Sequence, residues 1–294
     1  MQTLCAISAA LLKERRRKIN PATLKEIIEY SRKYRIGVGM FNIVNLEFVQ
    51  AMFDASQETG LPVMFGMPER FFQYYNAEAM ALACKKFIEK ASVPISIHLD
   101  HGKTFEGVMA ALKAGFSSVM YDGSSLSYEE NVARTSEIVK IAHAFGVTVE
   151  GELGYVGNTS EAVNSGNFTK SEEALDFVKR TGVDALAIAI GNQHGQYKGI
   201  PKLDFERLKE IRHKVDCGLV LHGGSGIAAE DFVEAIRCGI NKINIHTANE
   251  NAVKEFTNRS FANYPSFLEF TKGLTSVVKD VIKEHMLLFA SARI

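Results

Sequence analysis

Residues 185–195 read Ala-Leu-Ala-Ile-Ala-Ile-Gly-Asn-Gln-His-Gly, and residues 218–226 read Gly-Leu-Val-Leu-His-Gly-Gly-Ser-Gly, with the amphipathic stretch Asp204–Lys214 between them. A short run apolar on both faces, a turn of small and polar residues, a helix and a second apolar run make one β-α-β unit of a buried parallel sheet. The same unit repeats from about residue 36. Candidate strands are Ile36–Asn42, Pro62–Phe65, Ile95–Asp100, Ser117–Asp122, Thr148–Leu153, Ala185–Ile190, Gly218–His222 and Lys242–His246. Helical patterns lie between them, among them Glu47–Thr59, Thr104–Ala114, Tyr128–Phe145, Ser171–Thr181, Asp204–Lys214 and Ala229–Cys238. Several of these end at a glycine, for example Gly60, Gly115 and Gly182, as a left-handed helix cap requires. Eight strands, each followed by a helix, predict an α/β protein of the (β/α)8 TIM-barrel type rather than an open doubly wound sheet.

The 294 residues suit one such barrel. Residues 1–294 are therefore read as a single domain, with residues 1–20 an N-terminal extension forming an extra helix and Phe267–His285 a closing helix. Lys plus Arg and Asp plus Glu number 34 each, a balance that argues against a general nucleic-acid binder. The one basic run, Lys13–Lys18, reads as a solvated helix face. Cys5, Cys84, Cys217 and Cys238 lack CxxC spacing, which speaks against a zinc ribbon or a disulfide framework and fits free thiols in a reducing cytoplasm. The apolar stretch Cys5–Leu12 is too short for a signal-peptide core and has no basic region before it. No segment approaches the ~20 apolar residues of a membrane helix. A soluble, cytoplasmic protein with no membrane partner is expected.

Barrel enzymes place their chemistry at the C-terminal ends of the strands. Here those ends carry His98-Leu-Asp-His-Gly102, Tyr121-Asp-Gly-Ser124, Glu150-Gly-Glu-Leu-Gly154, Gly191-Asn-Gln-His-Gly195, His222-Gly-Gly-Ser-Gly226 and Asn244-Ile-His-Thr247. His101, His194 and His222 converge on one mouth. Three neutral imidazoles leaving a fourth position open are the donor set of a catalytic zinc, although cobalt, iron or manganese accept the same donors. His98 is read as a support for the site, and His143 and His213, inside helical patterns, as structural. Asp100, next to His101, fits either a general acid/base on a metal-held substrate or a carboxylate that orients a histidine. The turn His222–Gly226 opens a helix and reads as a phosphate cradle, since its backbone N–H groups and the helix dipole favour an anion. A second polar turn, Asn244–Thr247, comes after the next strand, and phosphate turns after strands seven and eight recur in barrel enzymes.

Together these segments resemble the class II fructose-bisphosphate and tagatose-bisphosphate aldolase family, from about Gly37 to the C-terminus. The resemblance is carried by Gly37-Val-Gly-Met-Phe-Asn42-Ile-Val-Asn45, His98–Gly102, Asp122-Gly-Ser124, Glu150–Gly154, Ala189–Gly195, His222–Gly226 and Lys242-Ile-Asn-Ile-His-Thr247. It implies Asp100 as the acid/base and His101, His194 and His222 as zinc (Zn2+) ligands. It implies that Gly195, Gly223, Gly224, Ser225, Asn244 and Thr247 hold the phosphate end of a dihydroxyacetone phosphate moiety, with Asn42 and His246 against the substrate. Asp122 and Glu152 match carboxylates that bind a second cation or complete the site. The implied reaction is reversible cleavage of a phosphorylated ketose, a ketose 1-phosphate or 1,6-bisphosphate, to dihydroxyacetone phosphate and an aldehyde through a zinc-stabilised enediolate. No Schiff-base lysine is involved, and a homodimer or homotetramer is implied.

The chain departs from the family's pattern in four places. His246 stands where members often carry Asp, Asn or Ala; Asn192 and Gln193 replace commoner Thr and Ser or Ala; and Thr159 stands where some fructose-type members place a carboxylate. The arginine-bearing C-terminal segment that fructose-type enzymes use for the distal phosphate has no match. The substrate thus stays open between a tagatose-type bisphosphate and a ketose 1-phosphate without a far phosphate. Rival readings on the same fold are a metal-dependent sugar isomerase or epimerase, an amidohydrolase, and a non-catalytic barrel scaffold. Gly39-Met-Phe41 on the first strand lacks the His-x-His of amidohydrolases, and detection of carbon–carbon cleavage separates the others.

Overall fold

Eight short strands, all parallel and paired in sequence order, close into a barrel in a computed structural model of the chain. The structure describes residues 20–154, 156, 168–195, 197, 199 and 201–293. Residues 1–19 of the N-terminal extension, with its basic run and Cys5, and Thr159 lie outside the described residues. The strands are β1 (Val38–Asn42), β2 (Val63–Pro68), β3 (Ile95–Gly102), β4 (Ser118–Tyr121), β5 (Thr148–Leu153), β6 (Ala185–Ile188), β7 (Gly218–Leu221) and β8 (Ile240–Ile245). Their ends fall within a few residues of those read from the sequence.

The helices are α1 (Leu24–Tyr34), α2 (Leu46–Thr59), α3 (Ala77–Ile88), α4 (Phe105–Ala114), α5 (Tyr128–Ala144), α6 (Ser171–Thr181), α7 (Phe205–Lys214), α8 (Ala229–Arg237), α9 (Thr247–Ser260) and α10 (Phe267–Ala290). Among the described residues no helix is long and apolar enough to cross a membrane. Helices α3 and α9 complete the expected alternation after β2 and β8, whereas α1 is not among the patterns read from the sequence, and α10 runs five residues beyond His285, the end expected for it. For α1 the signal was present: Thr23 and Glu26 form a reciprocal capping box.

Two apolar clusters divide the core. The larger fills the space between strands and helices. The smaller lies inside the barrel, where Met40, Met64, Met120, Ala187 and Val220 meet Leu24, Ile27 and Ile28 of α1. Helix α1 is thus a plug for the N-terminal end of the barrel. Its entry is pinned by Ala22 N–H to Ile95 O (2.8 Å), Leu24 N–H to Thr148 Oγ1 (2.8 Å) and Ser117 Oγ–H to Ala22 O (2.7 Å). At its far end Asn241 Nδ2–H donates to Ser31 Oγ (3.0 Å). With side chains alternating along each strand, the inward face that is apolar near α1 becomes polar toward the opposite mouth: His98, Asp100, Glu150, Glu152 and Lys242 are all buried there.

Leu24 is fully buried in that inner cluster. Leu24→Ala should cost ~2–5 kcal/mol of stability, as a truncated core leucine does, seen as a lower urea midpoint; an unchanged midpoint would show that the plug contributes nothing to stability.

Candidate active site

Three imidazoles meet at the C-terminal mouth. His101 Nε2 lies 3.2 Å from His194 Nε2 and 3.2 Å from His222 Nδ1. Each ring is turned by an acceptor on its outer nitrogen. His101 Nδ1–H donates to Asp122 Oδ2 (2.9 Å), His194 Nδ1–H to Val156 O (3.0 Å), and His222 Nε2–H to Glu150 Oε1 (2.9 Å). Carboxylates and carbonyls only accept, so these bonds fix the outer nitrogens as the protonated ones and aim three lone pairs inward. Tetrahedral zinc with bonds of about 2.0–2.1 Å requires ligand nitrogens roughly 3.3 Å apart. The donor set fits a divalent cation.

Electrostatics show the same demand for positive charge. Burial alone would lower the His101 pKa, yet Asp100, Asp122 and Glu152 around it raise it to about 9. Burial lowers His194 to about 4, helped by the charge on His101, and burial takes His222 well below the ordinary imidazole value. Without a cation, a proton on His101 therefore stands where the ion's charge would be.

Asp100 and His101 are sequence neighbours, which on a regular strand would face opposite ways. The β3–β4 register shifts between Leu99 and Gly102, and His101 adopts φ +47°. This uncommon conformation for a non-glycine residue brings both side chains to the mouth. Asp100 is held from two sides: Asn42 Nδ2–H donates to Oδ2 (2.8 Å) and Asn244 Nδ2–H to Oδ1 (3.1 Å). Burial opposes its ionisation, but the neighbouring His101, His222 and Lys242 and the bond from Asn42 bring its pKa down to about 2. Asp100 is therefore a carboxylate, poised as a base beside the imidazoles.

Two further carboxylates flank His101. Asp122 also accepts from Ser124 Oγ–H (2.6 Å). Its pKa lies below the ordinary carboxylate range despite burial, through the bonds from His101 and Ser124. Glu152 Oε2 stands 3.8 Å from His101 Nδ1 and has no hydrogen-bond partner. Burial and the charge of Asp122 push its pKa up to about 8. His101, Asp122 and Glu152 make a second cluster whose donor atoms could share one ion.

Beneath the imidazoles lies a fully buried ion pair. Lys242 Nζ donates to Glu150 Oε2 (2.8 Å), with both side chains at 0% exposure. Glu150 could not orient His222 as a bare charge in this interior, and Lys242 balances it. His98, also fully buried, bonds Ser118 Oγ through Nδ1 (2.7 Å) and stays under the site rather than in it. His143, paired with Asp184 at 2.8 Å, sits on α5 away from the mouth. Glu150 and Lys242 had no assigned role in the sequence reading. Their signal was a charged residue at an inward position of a strand otherwise apolar enough to be buried.

The cradle is built from the turns after β6, β7 and β8. Gly223 has φ +66°, and a Cβ there would lie 2.1 Å from the Gln193 carbonyl oxygen; only glycine lets the two turns touch. Ser225 Oγ accepts from the backbone N–H of Ala248 (3.0 Å) and of His246 (3.3 Å), tying the cradle to the first turn of α9. Asn192 Nδ2–H donates to His222 O (3.1 Å), which gives one of the family departures a structural task.

A cavity of about 870 Å³ unites these parts. It is lined by Asn42, Asp100, the three imidazoles, Asp122 and Glu152, and by Gly195, Gly223, Ser225, Asn244, His246 and Thr247. Gly224 lies outside that lining and packs beneath it, with its N–H on Asn244 O (3.0 Å). Glu69, Arg70, Gln73 and Glu250, without a role in the sequence reading, line the same space.

Two outcomes are expected from this arrangement. Lys242→Met should destabilise the fold by ~3–5 kcal/mol by leaving Glu150 buried and unbalanced. Adding Glu150→Gln should recover part of that loss in urea denaturation; no recovery would mean that the pair is not the cause. Zinc added to the metal-free protein at pH 7 should release at least one proton, because His101, with a pKa of about 9, is protonated there and must lose that proton to become a ligand. The release should fade as pH rises through 9, and calorimetry in buffers of different ionisation enthalpy reads it. Binding without proton release at pH 7 would contradict this assignment.

The chain matches the family of class-II fructose-bisphosphate aldolase over residues 22–293. It is 40% identical over 266 residues to the fructose-bisphosphate aldolase of Geobacillus stearothermophilus, covering 89% of this chain and 92% of that protein. To the fructose-bisphosphate aldolase of Staphylococcus aureus strain Mu50 it is 42% identical over 238 residues, 78% of this chain and 82% of that one. The X-ray structure of the YdjI aldolase from Escherichia coli K12 superposes with a TM-score of 0.83 at 33% identity, covering 92% of this chain and 97% of that chain. A closed parallel barrel, three inward-facing imidazole nitrogens and these relatives lead to one conclusion: the chain belongs to the class II fructose-bisphosphate aldolase family and is a lyase that catalyses metal-dependent aldol cleavage.

Proposed function

We propose that this enzyme cleaves a phosphorylated ketose to dihydroxyacetone phosphate and an aldehyde. The observation that carries this is the convergence of three imidazole nitrogens, His101 Nε2 lying 3.2 Å from both His194 Nε2 and His222 Nδ1, with the Asp100 carboxylate beside them. His101, His194 and His222 hold the cation, which is zinc in this reading; when bound, it supplies Lewis-acid polarisation of the ketose carbonyl. Asp122 and Glu152 are available to a second cation.

The remaining roles fall to the chain itself. The turns around Gly195, Gly223, Gly224 and Ser225, with Asn244, Thr247 and the N-terminus of α9, hold the 1-phosphate. Asn42 and Asn244 keep the Asp100 carboxylate in place. Asp100 takes the proton of the C4 hydroxyl as the C3–C4 bond breaks, and the electron pair remains on the dihydroxyacetone phosphate half. In condensation the same carboxyl returns the proton. A pKa of about 2 for Asp100 keeps it in the base form throughout the neutral range.

The chain is read as one domain, and as a homodimer or homotetramer. The exposed aromatics Phe261 (55% exposed), just after α9, and Phe267 (71%) with Leu268 (64%), in the first turn of α10, offer an apolar patch for a second copy. A cytoplasmic location agrees with the free thiols of Cys84, Cys217 and Cys238.

Asp100→Asn should retain fold and metal content yet lower kcat by at least ~10²-fold, the scale of a lost general acid/base. The assay follows dihydroxyacetone phosphate from ketose 1-phosphates and 1,6-bisphosphates, with and without chelator. Turnover near that of the wild type would remove Asp100 from the proton-transfer role, and release insensitive to chelator would overturn the metal dependence of the reading.

A further inference from the structure

Aldol cleavage occupies the imidazoles, Asp100 and the cradle, but leaves the far half of the cavity without a ligand. After β2 the chain makes a 3-10 turn, Glu69–Gln73. The Glu69 carboxylate locks this turn to the loop after β3: it accepts from Thr104 N–H (3.0 Å), from Lys103 N–H and from the Thr104 hydroxyl. On its other side the Phe71 ring lies 6.3 Å from the ring of His246, after β8. The turn therefore bridges the mouth above β1, between the loops of β3 and β8.

Arg70 sits on this turn and lines the cavity. Its guanidinium lies 5.3 Å from the centre of the Phe71 ring, a stacking contact that steadies the charged plane. Among the described residues no carboxylate pairs with it. Lys103, the other cation on the cavity wall, stands 3.8 Å from Asp122. The nearby acids are engaged elsewhere: Glu69 with the β3 loop, and Glu250 Oε1 with His246 Nε2 at 3.2 Å. With that nitrogen protonated toward Glu250, His246 Nδ1 keeps a bare lone pair, and it is buried without a hydrogen-bond partner.

We propose, on the basis of the aldolase reading of the site, that Arg70 binds an anionic group at the far end of the substrate's aldehyde half, while His246 Nδ1 accepts a hydroxyl of the same half. The anion is a phosphate or a carboxylate, since a guanidinium offers a planar fork to either. The turn after β2 provides the cation on this wall of the mouth.

Condensation of dihydroxyacetone phosphate with three three-carbon aldehydes tests this: glyceraldehyde 3-phosphate, tartronate semialdehyde and neutral glyceraldehyde. Arg70→Met should lower kcat/KM about 10–100-fold for at least one of the two anionic aldehydes, mostly through KM, the scale of one charge-assisted hydrogen-bond pair. The loss with glyceraldehyde should be several times smaller, and Arg70→Lys should restore part of the activity. The anionic aldehyde with the larger loss identifies the anion. Equal losses on all three aldehydes, or none on any, overturn the proposal. If the wild-type protein condenses none of them, the aldolase reading falls, but Arg70 is still tested by calorimetric titration of glyceraldehyde 3-phosphate with dihydroxyacetone phosphate saturating. Binding about tenfold weaker in Arg70→Met supports the anion site, and equal affinity in both proteins overturns it.

Discussion

Three nitrogen lone pairs aimed at one point repel each other unless a positive charge lies between them, and the architecture of this protein is arranged around that constraint. Nothing in an imidazole itself decides which nitrogen is protonated. The decision is made outside the site, by Asp122, the Val156 carbonyl and Glu150. Because those acceptors come from three different segments, the barrel must bring β4, β5 and the chain after β5 into register with the histidines on β3 and after β6 and β7. The closed sheet provides that register; a local motif could not.

The same constraint carries a cost deeper in the barrel. Glu150, which accepts from His222, has no exposed side-chain surface, and a lysine is buried beside it to balance its charge. A barrel whose upper interior holds His98, Glu150 and Lys242 draws less stability from hydrophobic burial than one filled with Val and Ile. The lower interior compensates. There Met40, Met64, Met120 and Val220 pack on the apolar face of α1, so that the plug at one end and the polar network at the other are two halves of a single energetic arrangement.

Much of this was legible in the sequence. Eight apolar runs with polar C-terminal ends pointed to the barrel, and the recurrence of histidine at three of those ends pointed to the donor set. The approach of Asp100 and His101 to one mouth was legible only as an expectation. Its cause, a register shift and a left-handed residue in β3, depends on pairing with β4 and has no local signature. Helix α1 was missed although its capping box was written in Thr23-Leu-Lys-Glu26, because the periodic strand pattern begins only after it. Glu150 and Lys242 are 92 residues apart, so their pairing depends on closure of the barrel. Arg70 and Glu250 gave no signal at all: a charged residue just after a strand is ordinary until tertiary structure shows that it faces a cavity.

His246 shows how one departure can redistribute charge over the whole mouth. A carboxylate at this position would add negative charge beside Asp100, whose electrostatic influence reaches His246, and would disfavour an anionic substrate group nearby. A neutral imidazole removes that repulsion. Burial, the largest influence on His246, disfavours its protonated form, and Arg70 adds to this. The ring therefore remains a hydrogen-bonding group rather than a second cation, and Arg70 becomes the positive charge on that wall that no carboxylate among the described residues neutralises. The imidazole after β8 and the arginine after β2 make physical sense together: the first adds no negative charge where an anion would lie, and the second supplies the attraction.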